Sequence, residues 1–512
     1  MNRMINNKVL KYFVVLLLLM GCSEDFLTLD DPARTTVVRF WVNEANLTQG
    51  VAAAYKALSE ESDGGYYMRT NPQICEGRTE NFQVSTDVTG RYEIGSYVNT
   101  ISNNNTFQVF RSQYHGIFRA NQVLTYGPQI ENIAEETRNK ILGEAKFLRG
   151  LYYFHLVNEF GSVPITTKLA ETSEDYFVEN SPIADVWAQI ISDWNDAEAA
   201  LPVRWDADMV GRATKGAAIA FKGRAYLYQK EWSKAIAEYE KLLDNSTYGY
   251  ELMEDYAHIW DGQHRNCKES IFEIQYSRNQ PDVWGGRQAT GTVYAQEVAS
   301  NEAGGWEEIL PTKTLLNAMT KELTKDGDFD PRAKATIAWD YPGCIHYQAR
   351  FDSVYKDEIA DGLVPIQNRK NCNWWNKDEG DWRSDLNEIP MRYADVILSL
   401  AEAYTMTGQI AKAVPLVHRI RDRAHLADKR NEMNGWNQEQ MMTEIMHQRN
   451  VEFVREYVHF FDLRRWGTLE KVIHESQELG WQNFRTRHEY YPIPENELKA
   501  NPKVTQNPAW MQ

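Results

Sequence analysis

Cysteine is scarce in this chain, with 5 residues in 512. None form a CxxC pair, which argues against a zinc ribbon. Apart from Cys22, the cysteines are Cys75, Cys267, Cys344 and Cys372. They allow three full disulfide pairings, and free buried thiols fit equally well. Basic charge is also in short supply: 55 Lys and Arg stand against 72 Asp and Glu, a formal net charge of −17. Such a balance excludes the basic footprint of a nucleic-acid binder and broad docking on anionic lipid. Beyond Met20 no apolar run is long enough to span a bilayer. Catalytic signatures are missing too. There is no HExxH and no G-x-S-x-G elbow. Gly211–Gly216 runs into Ala217, not into the Lys-Ser/Thr of a phosphate loop. No motif calls for a cofactor or a metal.

What is present starts at the N-terminus. Arg3, Lys8 and Lys11 precede an unbroken apolar run from Tyr12 to Met20. Nine helical residues reach only ~13 Å, against the ~30 Å of a bilayer core. The run is therefore a signal-peptide core. It ends in Leu19-Met20-Gly21-Cys22, which resembles a lipobox, with Met20 where a small residue is usual. That resemblance makes Cys22 the acylated first residue of the mature protein. Removing residues 1–21 leaves a body three charges more acidic still. The acids Glu24 and Asp25 just after Cys22 resemble surface-export signals.

The body reads as mainly α, with an irregular middle. Apolar residues recur at helical spacing over Glu144–Phe160, with Gly161 and Pro164 as stops. Ile183–Leu201 is a second helix, ended by Pro202. Thr214 caps a helical hairpin, Lys215–Gln229 and Trp232–Leu243, whose Gly223, Tyr226, Ala235 and Tyr239 resemble a tetratricopeptide (TPR) unit. Tyr404, Ala413 and Val417 repeat the last three markers at one offset of 178 residues. The expected architecture is TPR-like hairpins interrupted by a large insertion, not a simple solenoid. The insertion spans about 250–388 and holds seven of the 16 tryptophans. Only Thr312–Leu323 is clearly helical there, and Ser270–Tyr276 reads as a strand. The chain thus divides into a leader (1–21), an N-terminal helical region (22–249), a loop-rich ligand-binding region (250–388) and a C-terminal helical region (389–512).

Glu452 and Glu456 lie four residues apart on one helix face, the arrangement one would examine for a glycosidase pair. Arg449, Arg455, Arg464 and Arg465 surround them, so structural ion pairing is the stronger reading. Asp326-Gly-Asp-Phe-Asp330 alternates carboxylates as a calcium loop does. Pro331 and Ile337 stand where that loop needs Gly and Glu, so a turn braced by Asp330-Pro331-Arg332 is expected.

Short motifs in fixed order then point to one family. They include Cys22–Pro32, Phe118–Leu124, Gly143–Arg149, Phe160–Pro164, Gly211–Gly216 and Asp330–Arg332. Ile389–Leu398, Arg419–Ala424, Asp462–Gly467, Tyr491–Glu495 and Thr505–Pro508 follow. Over nearly its whole length the chain resembles SusD-like (SusD/RagB) outer-membrane lipoproteins. The resemblance implies a TPR-like helical fold and a lipid-anchored place on the outer membrane, facing out. It also implies a SusC-like TonB-dependent barrel as partner and an oligosaccharide, or less often a peptide, as cargo, with no catalysis. A TPR-type assembly scaffold without a ligand of its own, or a surface glycosidase, is the alternative.

Sugar rings stack their C–H faces on flat aromatics, while a few polar groups bond the hydroxyls. Aromatics in irregular segments are therefore the candidate ligand contacts: Trp284, Trp306, Trp374 and Trp375 first, with Arg287, Tyr294, Tyr67 and Arg69. Trp339, Tyr341, Trp382, Tyr66 and Arg78 belong to the same clusters. Trp187, Trp194, Trp232 and Trp466 sit on helices and are expected in the core.

Overall fold

The computed structural model describes residues 40–59, 66–67, 74–278, 291–379 and 384–511. The leader and Cys22 lie outside the described residues, as do Arg69, Trp284, Arg287 and Trp382.

The main helices in chain order are α1 (Glu44–Lys56), α2 (Asn104–Tyr126), α3 (Glu135–Phe160), α4 (Ile183–Ala200), α5 (Lys215–Tyr228) and α6 (Trp232–Lys241). After the insertion come α7 (Tyr393–Met406), α8 (Ile410–Arg423), α9 (Gln438–Glu452) and α10 (His459–Trp466). Local chemistry sets their ends. Thr214 caps α5 by accepting from the Ala217 amide at 3.1 Å. Asn437 and Gln440 form a capping box at the start of α9. Gly161, at φ 77°, ends α3 in a conformation that glycine adopts freely. The α3 helix starts at Glu135, earlier than apolar periodicity placed it, because the residues from Glu135 to Lys140 are polar and only partly buried. The expected helix over Thr312–Leu323 shrinks to Lys313–Met319 with Thr312 as its cap.

Each helix from α1 to α8 packs on its sequence neighbour, so the hairpins form one continuous TPR-like array. Crossings are close where glycine meets a ring. A Cβ on Gly223 would stand 2.6 Å from the Tyr239 ring, and one on Gly150 would stand 2.6 Å from the Trp194 indole nitrogen. The insertion interrupts the sequence but not the stack. Helix α6 packs directly on α7, and the Tyr404 hydroxyl donates to Glu240 across that joint. Of the residues of the 178-residue repeat, Ala235, Tyr239, Ala413 and Val417 are fully buried, Tyr404 is buried and Tyr226 is half-buried. Trp187 and Trp194 are buried, while Trp232 and Trp466 pack partly buried on the same core. No helix among the described residues is long and apolar enough to cross a membrane.

The insertion is held at its base by an antiparallel pair. Strand β1 (Ser270–Ile274) lies beside β2 (Glu388–Arg392), with Met391 opposite Phe272. Two further short pairs tie it together: Phe82–Val84 with Ile309–Pro311, and Ile337–Trp339 with Ile366–Asn368. A second core, distinct from that of the helices, includes Val298, Ile309, Leu315, Ile337 and Cys372. Cys75, Cys267, Cys344 and Cys372 are all unpaired.

Between insertion and helices lies a buried set of charges. Glu452 receives Arg392 (2.6 Å), Arg332 (3.2 Å) and Arg423, while Glu456 receives Arg392 (2.7 Å) and Lys370 (2.6 Å). Both glutamates are buried. Burial alone would raise the Glu452 pKa, but Arg423, Arg392 and Arg332 outweigh it and hold the carboxyl well below its usual range. The pair is therefore structural, as their arginine-rich setting implies. Asp330 likewise accepts from the Arg332 amide at 2.9 Å and pairs with its guanidinium, which makes the expected braced turn.

Glu388 behaves in the opposite way. Burial pushes its pKa up to about 7, against the opposing pull of Tyr457, Arg455, Asn371 and Lys370. A carboxyl whose folded pKa is raised binds its proton more tightly in the folded chain. Its contribution to stability is thus present at low pH and falls as the pH climbs from 4.5 to about 7. Glu388→Gln is expected to be more stable than wild type at pH 8, by about 2 kcal/mol, with the gap closing near pH 5. Urea midpoints of both proteins at the two pH values check this. An unchanged gap would show that Glu388 is not buried as a neutral acid.

Candidate functional site

The structure separates the candidate aromatics. Tyr67 and Tyr294 are corrections: both are buried in packed cores, Tyr67 in that of the helices and Tyr294 in that of the insertion. The Tyr67 hydroxyl shares a hydrogen bond with His155 Nε2 at 2.9 Å. The Arg455 guanidinium lies over the Tyr294 ring at 4.7 Å. The sequence did not betray this because an aromatic residue has the same local signature in a packed core as in a binding loop. Tyr66 stacks on His155 at 3.9 Å. Arg78 pairs with Glu159 at 2.8 Å between the rings of Phe460 and Tyr491. Trp339 is buried as well.

Trp306, Trp374 and Trp375 lie on loops that meet where the Glu379 amide donates to the Ala303 carbonyl at 3.1 Å. Trp306 is 39% exposed. Trp374 is half-buried, with the Arg369 guanidinium 4.4 Å above its ring. Trp375 meets it edge to face at 6.1 Å. The loops that carry them frame a cavity of about 410 Å³. That volume falls within the range of small-ligand sites.

A two-residue hairpin forms one wall. Ile345–His346 pairs with Ala349–Arg350, and Tyr347 and Gln348 turn between them at φ 48° and 60°. Such turns usually carry Asn-Gly, and a side-chain-bearing residue there costs roughly 1–2 kcal/mol. Contacts with the next loop offset the strain. The Tyr347 amide donates to the Trp374 carbonyl (2.9 Å), and the Gln348 side chain donates to the Trp375 carbonyl (3.3 Å). The Tyr347 hydroxyl donates to Glu379, which also accepts from the Asn373 amide at 2.8 Å. Burial, the Cys372 thiol and Glu379 push the Tyr347 phenol far above its ordinary pKa, so it stays a donor.

Aromatic side chains supply more of the lining. Phe351 and Tyr355 lie 4.5 Å apart, and the Tyr355 hydroxyl donates to Glu302 at 2.9 Å. His346 completes the lining with both ring nitrogens unpaired. Burial, then Arg369, lowers its pKa to about 3, so the ring is neutral and carries one donor and one acceptor. Gln348 and Lys377 stand exposed at the rim. Three rings, an imidazole, an amide, a carboxylate and an ammonium around one hollow can stack a sugar face and bond its hydroxyls. The sequence candidates did not include this aromatic lining. Its signal was present: Tyr347, Phe351 and Tyr355 recur every four residues.

Comparison with known proteins sets this geometry in context. Residues 268–510 match the model of the SusD family. Residues 25–227 match a second model, described as starch-binding and associating with outer membrane. A SusD superfamily protein of known structure from Bacteroides vulgatus is 32% identical, with 92% of this chain and 100% of that one covered and a TM-score of 0.85. The chain belongs to the SusD family. Among other SusD-like proteins, P25 of Formosa agariphila is 23% identical over 98% of this chain and 99% of its own length. Surface glycan-binding protein A of Bacteroides thetaiotaomicron, solved in complex with laminarihexaose, shares the fold at 20% identity and a TM-score of 0.73, covering 90% of this chain and 99% of that one. The SusD-family fold thus accounts for both the hairpin array and the insertion mounted on it.

Proposed function

We propose that this SusD-family protein captures an oligosaccharide outside the cell and passes it, unchanged, to a SusC-like TonB-dependent barrel. In this reading Cys22 tethers it to the outer membrane, facing out, and the insertion carries the glycan site. The observation that carries the proposal is the aromatic-walled cavity of about 410 Å³ with the unpaired His346 in its lining. Glycan hydroxyls would supply the partners that His346 lacks, removing a penalty of roughly 1–3 kcal/mol. Trp306, Trp374 and Trp375 would extend the surface beyond the cavity, with Trp284, Arg287 and Arg69 as further contacts. Relatives support the chemistry: one SusD-like protein of known structure is described as laminarin binding. The burial of Glu452 and Glu456 in ion pairs speaks against a glycosidase built on them.

Isothermal titration against a panel of neutral and charged oligosaccharides tests this. At least one is expected to bind. Gln348→Ala, an exposed change, is expected to weaken that binding about three- to tenfold while lowering the melting temperature only slightly, through loss of the bond to the Trp375 carbonyl. Binding of peptides and of no glycan would sink the glycan reading. Glycan binding indifferent to Gln348, Trp306 and Trp375 would move the site away from this cavity.

A further inference from the structure

A second cavity, of about 370 Å³, lies against the base strand β1. It lies between the α4–α5 connection, the segment after α6 and the residues leading into β1. Two sets of rings line it. Trp205 is fixed by its indole N–H, which donates to the Ala213 carbonyl at 2.7 Å, and Arg212 covers one of its faces at 4.2 Å. Tyr248 and Tyr250 stand parallel, 8° apart in plane and 6.1 Å between centres. Gly249 between them, at φ 68°, turns the chain in a conformation that glycine adopts freely.

The cation at this cavity is Arg204. It donates to the Tyr248 carbonyl at 3.0 Å and has no carboxylate partner among the described residues. It lies tight over Gly249: a Cβ there would come 3.4 Å from the guanidinium carbon and closer still to Nη2. The other cations are engaged, Arg212 with Glu144 and Lys268 with Glu251 at 3.1 Å. The one lining carboxylate, Glu273, is bonded by the Asn266 amide and the Asn387 side chain, both at 2.8 Å. In a chain with net charge −17, an arginine fork open beside parallel rings asks for an anion that also has a flat apolar face.

We infer that this cavity is a second ligand site, for an acidic sugar ring whose carboxylate meets Arg204 while its C–H face lies on Trp205 or the tyrosine pair. The class is a uronate-containing oligosaccharide. The inference rests on the glycan-binding reading above and adds a place and a charge to it.

The test uses the detergent-solubilised full chain and titrates uronate trisaccharides beside their neutral hexose counterparts. Uronates are expected to bind, and Arg204→Gln to weaken them about tenfold or more while leaving neutral sugars unchanged. Arg204→Lys, which keeps the charge and loses the fork, is expected to fall between. Trp205→Phe, with the ring kept, guards against a misfolded variant and is expected to weaken uronates less than Arg204→Gln does. Gln348→Ala in the insertion cavity is expected to spare uronate binding. If neutral sugars bind and uronates do not, or if Arg204→Gln changes neither, this inference falls and the glycan reading stands. If no sugar of either kind binds, both fall.

Discussion

Arg392→Ala is expected to destabilise the protein by about 3–5 kcal/mol. Its Nη1 donates to Glu269 and to Glu452, both at 2.6 Å. Nε and Nη2 each donate to Glu456 at 2.7 Å, and Nη2 also reaches the Glu452 carbonyl at 2.8 Å. The side chain is fully buried, so alanine would leave three carboxylates short of a cation with no water to replace it. Glu452 would keep Arg332 and Arg423, and Glu456 would keep Lys370. The damage would fall where β2 meets the end of α9, at the base of the insertion. Lysine has three donors and no fork, so Arg392→Lys is expected to recover only part of the loss.

The pH dependence of this loss has a definite sign. Glu452 is held well below its usual range in the folded chain, so it adds stability above its unfolded value of 4.5, and that gain disappears as the pH drops. Removing Arg392 lifts the folded value toward normal. The gap between wild type and Arg392→Ala should then be widest at neutral pH and narrow as the pH falls below about 4.5. Urea unfolding at several pH values measures both. A cost below about 1 kcal/mol at pH 7 would mean that the cluster is solvated.

Trp194→Ala is expected to cost a similar amount, about 3–5 kcal/mol, for a different reason. The ring is fully buried among Phe154 and Phe221, and its N–H donates to the Phe147 carbonyl at 3.1 Å. It fills the crossing of α3 and α4 and lies against Gly150. Gly150→Ala alone is expected to cost about 1–3 kcal/mol by overpacking, since its methyl would meet the indole nitrogen at 2.6 Å. In the Trp194→Ala background that cost should vanish or change sign, because the methyl then enters an empty space. The cycle should show a coupling of about 1–3 kcal/mol. Additive losses, read from thermal or urea melts, would refute the close glycine–indole fit as the reason for Gly150.

Much of the helical frame was legible residue by residue. Helices α4, α5 and α6 end within two residues of where periodicity, Pro202 and the Lys230-Glu231 break placed them, because stop signals are local. The hairpin repeat was legible because close crossings demand small residues at fixed spacing, as Gly223, Ala235 and Ala413 show. The candidate site was far less so. An aromatic residue in an irregular stretch is drawn equally to a core or to a ligand, and its composition is the same in both. Tyr294 went inward under Arg455, while Trp306 stayed 39% exposed. The Tyr347–Gln348 turn broke the local rule that would have revealed it, since its strain is offset by bonds to a loop 27 residues away.

The sequence by itself determined the acidic charge of this protein, its mainly helical class and its membership of the SusD family. Those depend on runs, periods and short motifs, all set by near neighbours in the chain. The tertiary structure alone decided that α6 stacks on α7 across the insertion. It decided that Glu452 draws on Arg332, Arg392 and Arg423, the first of them 120 residues away. It also decided which rings face a cavity. Burial and pairing over such separations depend on where the whole chain leaves space and water, and no local pattern encodes that.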